Sequence, residues 1–80
     1  MITPAQIRAA RALLGFSVDQ VSAISGVSAF LIIQTEEERS ATPDQAALLS
    51  LRQAFEREGI VFIADGDCPP GGMGVRLATR

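Results

Sequence analysis

Ser17-Val18-Asp19-Gln20-Val21-Ser22-Ala23-Ile24-Ser25-Gly26-Val27-Ser28-Ala29-Phe30-Leu31-Ile32-Ile33-Gln34-Thr35-Glu36 carries two helix starts and a stop between them. Ser17 stands three residues before Gln20. At that spacing a hydroxyl and an amide each satisfy one of the orphan N–H groups at a helix start. Gly26 tolerates the left-handed conformation that closes a helix, and Ser28 is a good N-cap for the next one. Two short helices joined by a glycine-containing turn read as a helix-turn-helix. Its helices fall at 18–25 and from Ser28 to about Glu37 or Glu38.

The same punctuation recurs on both sides. Thr3-Pro4-Ala5-Gln6 and Thr42-Pro43-Asp44-Gln45 repeat the capping-box spacing, each with Pro at the first helical position, where a missing N–H costs nothing. Gly15 and Gly59 supply the stops, which predicts helices over 4–14 and 43–58. The first aligns Ile7, Ala10, Arg11 and Leu14 on one face, and the last aligns Leu48, Leu51 and Phe55 with Ala47 and Ala54 beside them. Both patterns are those of amphipathic helices. Beyond Gly59, Ile60-Val61-Phe62-Ile63-Ala64 reads as a strand, Asp65 to Met73 as loop, and Gly74–Ala78 as a second strand completing a hairpin. The expected fold is mainly α: four to five helices with a short C-terminal strand or hairpin. Residues 1–58 form the helical domain and 59–80 an extension of it.

Eighty residues make one domain with a modest core. The chain is 48% apolar and 5% aromatic, with no His and a single Cys. Without His, imidazole metal sites and proton transfer near neutral pH are excluded. Cys68 has no base to activate it. Asp65 and Asp67 lack the further ligands of a calcium loop. Gly71-Gly72-Met73-Gly74 lacks the Lys and helix of a phosphate loop. The expectation is no enzyme, no metal and no cofactor. No apolar run approaches the ~18 residues needed to cross a bilayer, and the N-terminus has no signal-peptide pattern, so the expected location is cytoplasmic. A net charge of −2 is the wrong sign for binding nucleic acid by bulk electrostatics.

Ile7-Arg8-Ala9-Ala10-Arg11-Ala12-Leu13-Leu14-Gly15-Phe16-Ser17 resembles the opening of the Cro/CI-type (XRE) regulators of bacteria and their phages. Ser25-Gly26-Val27-Ser28 is similar to the family's turn before the recognition helix. Helix 4 with Gly59-Ile60-Val61-Phe62-Ile63 and Gly74-Val75-Arg76-Leu77 resembles a subgroup of small regulators. The resemblance implies a Cro/CI-like helix-turn-helix fold and a transcriptional regulator that binds operator DNA as a homodimer. It also implies that Arg11 and Glu36 form the ion pair that family members place between helix 1 and the recognition helix. An Arg on an apolar stripe is costly unless a carboxylate meets it. The alternative is an Arg11 that snorkels to solvent.

The helix that would read DNA departs from the family pattern. With Ile32 inward beside Ser28, Thr35 and Glu36, its outward residues are Phe30, Ile33, Gln34 and Glu37. Gln34 alone among them can make a bidentate base contact, best to adenine, while Ala29 and Phe30 can touch a thymine methyl. Val18 and Ile24 stand where the family keeps polar or basic residues. Glu36-Glu37-Glu38 opposes phosphate, partly offset by Arg39, Arg8 and Arg52. Two readings of helix 3 follow. Either it is buried more completely than this register implies, or Val18, Phe30 and Ile33 form an exposed patch. The candidate surface for DNA or a partner is Val18, Ser28, Ala29, Phe30, Ile33, Gln34 and Arg39. Alongside operator DNA stands a second function: a degenerate helix-turn-helix that binds a regulator protein, as an antiactivator or antitoxin-like module.

Overall fold

The computed structural model describes residues 2–37, 44–64 and 73–78. Within them the order is α1 (Pro4–Leu14), α2 (Val18–Ser25), α3 (Ala29–Glu36), α4 (Gln45–Arg57), β1 (Ile60–Ile63) and β2 (Gly74–Leu77). The fold is mainly α, four helices followed by a two-stranded antiparallel hairpin.

The caps act as the sequence predicts at α1 and α2. Thr3 Oγ1 accepts from the Gln6 N–H at 3.2 Å while Gln6 Oε1 accepts from the Thr3 N–H at 2.9 Å. Ser17 and Gln20 repeat the exchange at 3.1 and 2.7 Å. Gly15 and Gly26 close these helices at φ 69° and 78°, a region that costs a side-chain-bearing residue about 1–2 kcal/mol. Helix α4 is a correction. It begins at Gln45, two residues after the expected start, and its cap is Asp44 rather than Thr42. The Asp44 carboxylate accepts from the N–H groups of Ala46 and Ala47 at 3.0 and 3.2 Å. One carboxylate oxygen thus serves two orphan donors. Thr42 and Pro43 lie outside the described residues. Helix α3 ends at Glu36, with Glu37 as its C-cap, a residue or two short of the expected end.

Every helix contributes to one core. Ile7 from α1, Val21 from α2, Ile32 from α3, and Leu51 and Phe55 from α4 are the largest fully buried side chains. Phe55 meets Phe62 of β1 edge-on, ring centroids 6.2 Å apart and planes at 67°, a favourable aromatic arrangement. Phe62, Val75 and Leu77 pack the hairpin against this cluster. The strands pair Ile60 with Leu77, Val61 with Arg76, Phe62 with Val75 and Ile63 with Gly74.

A single buried amide ties hairpin to helix. Gln6, only 4% exposed, completes the α1 capping box through Oε1 and donates from Nε2 to the carbonyls of Ile63 and Gly74 at 3.1 and 2.9 Å. Those two residues are partners across the ladder. Both amide hydrogens and the amide oxygen are therefore satisfied, as burial requires. No single helix among the described residues is long and apolar enough to cross a membrane.

Candidate functional site

Helices α2 and α3 are eight residues each and are joined by Gly26, Val27 and Ser28, and their axes turn through 115°. The turn is held from within. Ser22 Oγ donates to the Val27 carbonyl at 2.6 Å, and the Val27 N–H donates to Ser25 Oγ at 3.1 Å. Val27 is buried at 7% exposure and anchors the corner to the core. The polar groups of a tight turn beneath an apolar cluster are thus paired, and the corner is stiff.

This corner fixes which way α3 faces. Ile32, Thr35 and Glu36 point inward, at 0%, 7% and 6% exposure. Thr35 resolves its polarity locally, its hydroxyl donating to the Leu31 carbonyl at 2.8 Å, a back-bond common for Thr in helices. The opposite face carries Phe30 at 68% and Ile33 at 38% exposure. The fully buried alternative for this helix is therefore wrong: three inward positions suffice to seat it. Ala29 and Gln34 flank the two apolar residues and are half-buried. The Gln34 amide has no hydrogen-bond partner among the described residues.

The remaining candidates are placed less uniformly. Ser28 is exposed, but its hydroxyl is committed as N-cap, accepting from the Leu31 N–H at 3.2 Å. Val18 is half-buried and packs against the core, so it is not part of the exposed apolar surface that Phe30 and Ile33 present. Arg39 lies outside the described residues.

The far end of α3 is clamped by arginines of α1. Arg11 Nε and Nη2 donate side-on to Glu36 Oε2 and Oε1, both at 2.9 Å, and Nη1 reaches the Phe16 carbonyl at 3.3 Å. These hydrogen bonds to Glu36 hold the guanidinium above its ordinary pKa, against a smaller opposing effect of burial. Snorkelling of Arg11 is excluded by this geometry. The pair is buried on one side only: the Glu36 side chain is 7% exposed and that of Arg11 30%. Arg8, one turn earlier, donates to the main-chain carbonyl of Glu36. A cation there meets the negative end of the helix dipole. Sequence reasoning counted Arg8 among cations available to DNA and missed this role. Nothing in residue spacing distinguishes an Arg on a carbonyl from an Arg in solvent. Arg57 is a second case, donating to the Ile24 carbonyl at the end of α2 at 3.1 Å.

Two other features are chemically plain. No group of three or more metal-binding side chains occurs among the described residues. A cavity of about 290 Å³ opens between the N-terminus and α4, lined by Ile2, Gln45, Leu48, Leu49 and Arg52. Neither a protein-family model nor a curated protein sequence matches the chain.

Proposed function

We propose that the chain is a small helix-turn-helix regulator of the Cro/CI type that docks α3 in the major groove of operator DNA, as a homodimer. The observation that carries this reading is the corner itself. Two short helices, a three-residue glycine turn and a 115° crossing leave one face of the second helix outside the core, and 90–120° is the range of this motif. An eight-residue helix is about 12 Å long, a length the major groove accepts. The Arg11–Glu36 clamp supports the same reading, because it holds α3 at a fixed angle without using any of its outward residues. Such a regulator needs no catalytic group.

Electrostatics make this an unusual member of that class. Residues 12–38 contain no Lys or Arg, so the corner brings no cation of its own to phosphate. Of the described arginines on α1 and α4, Arg11 is spent on the Glu36 carboxylate, Arg52 on Glu56, and Arg8 and Arg57 on main-chain carbonyls. Few counterions are then released on binding, and the dependence of affinity on salt is shallow.

One observation favours a second reading. Phe30, at 68% exposure beside Ile33, is the kind of aromatic anchor that dominates protein interfaces. A helix-turn-helix that has lost DNA readout would use this face to hold a regulator protein, as an antiactivator or antitoxin-like module does. Titrating labelled DNA from immediately upstream of its own reading frame against a scrambled duplex separates the two. Preference for the native fragment supports the regulator. Equal or absent binding, together with Phe30-dependent capture of a protein, supports the partner reading.

A further inference from the structure

We infer that α3 selects thymine-rich A·T steps by packing apolar side chains against thymine methyl groups, with Gln34 as the one residue of its outward face suited to a bidentate base-edge contact. The inference rests on the groove-docked reading above and specifies what the docked helix recognises.

The outward face of α3 is Ala29, Phe30 and Ile33 with Gln34 alongside and the exposed C-cap Glu37 at its far end, and each base pair asks something different of it. Guanine presents two acceptors, O6 and N7, to the major groove, and the side chains that satisfy them are Arg and Lys. There is none between residues 12 and 38. Cytosine presents an amino donor and a bare ring edge. Phe30 or Ile33 pressed against a G·C pair would strip water from these groups and return nothing, and each polar group left so is a penalty. Adenine presents one donor and one acceptor, which a single carboxamide matches. Thymine presents a methyl group, the one apolar feature of the groove.

Position along the helix agrees. Ala29 and Phe30 lie on the first turn, and Ile33 and Gln34 one turn later, a separation of about 5–6 Å that spans between one and two base-pair steps. Phe30 and Ile33 are therefore placed over neighbouring steps, with Gln34 beside the second. Ser28, the other polar residue at this end, accepts the Leu31 N–H as a cap and has a single O–H left to donate. Selectivity then comes from exclusion as much as attraction: the face rejects G·C because it cannot pay its desolvation, and it accepts thymine through the methyl.

The experiment uses the full chain and duplexes selected by it from a random-sequence pool. In the bound consensus each thymine is replaced by deoxyuridine, which removes the methyl and leaves every hydrogen-bonding group in place. Loss of one buried methyl is worth about fourfold in affinity, so two contacted thymines predict a loss of about fifteenfold. Phe30→Ala should keep only the share of the deoxyuridine penalty that belongs to Ile33, about fourfold, and its unchanged melting temperature shows the fold is intact. An A·T-rich consensus with this deoxyuridine penalty supports the inference. A G·C-rich consensus, or a deoxyuridine duplex bound as well as its parent, overturns it and leaves the regulator reading standing. No enrichment from the pool at low salt overturns both.

Discussion

Arg11 and Glu36 are unequal partners: the carboxylate is 7% exposed and the guanidinium that meets it side-on is 30% exposed. Removing the arginine strands a buried charge, whereas removing the glutamate leaves an arginine that can turn to water. Breaking a buried pair typically costs 3–5 kcal/mol. With Arg11 partly solvated, Arg11→Ala should cost about 2–3 kcal/mol and Glu36→Ala about half of that. Arg11→Lys should fall between wild type and Arg11→Ala, since an ammonium cannot reproduce the two parallel bonds. Urea midpoints of the three variants check the order. Equal losses from the two alanine changes would mean the pair is solvated symmetrically.

Gln6 is the second polar residue on which the fold depends. Gln6→Leu removes half of a capping box and two donors from facing carbonyls, and about 2 kcal/mol should be lost. Gln6→Glu should be worse at neutral pH, because a carboxylate would face two carbonyl oxygens. Burial among acceptors raises the folded-state pKa of the introduced carboxyl. Stability is then recovered as pH falls and lost as pH rises through that value. Melting temperatures relative to wild type across the acid range test the sign. A variant whose deficit grows in acid would remove Gln6 from this role.

Phe30 and Ile32 are two positions apart on α3 and should respond oppositely. Ile32→Ala, at 0% exposure, should cost about 2–4 kcal/mol. Phe30→Ala should change stability by no more than about 0.5 kcal/mol. Thermal or urea unfolding measures both, and a large loss from Phe30→Ala would return α3 to the core.

The hairpin has two strands and each has an outer edge with no partner strand among the described residues. Open edges invite pairing with a second copy, and a homodimer is the expected state at about tens of micromolar. Sedimentation equilibrium gives the answer directly, a monomeric mass ruling the edge-paired dimer out. Deleting β2 would be a poor test, because α1 is tied through Gln6 to Gly74.

Most of the fold was legible because local chemistry and global packing agree. The capping boxes at Thr3 and Ser17 and the stops at Gly15 and Gly26 fix α1 and α2 to the residue. At α4 the capping-box spacing pointed to Thr42, whereas the helix is capped by Asp44. The outward register of α3 was legible from Ile32, Thr35 and Glu36, but its degree of burial was not. A helix with Phe30, Leu31, Ile32 and Ile33 in succession has almost no polar face to orient it. Long-range polar contacts were the least legible. The pairings of Gln6 with the hairpin, Arg8 with Glu36 and Arg57 with Ile24 span 28 to 68 positions and depend on tertiary placement that no local pattern records.

The central claim is that the outward face of α3 reads DNA. Its most direct test is an equilibrium titration, at low salt, of the full chain on the duplex upstream of its own reading frame and on a scrambled duplex of the same composition. Phe30→Ala and Gln34→Ala are measured beside wild type. The account predicts at least about tenfold preference for the native duplex, a shallow salt dependence, and loss of most of that preference in both variants without loss of fold. Equal affinity for the two duplexes, or a preference that survives both substitutions, would contradict it.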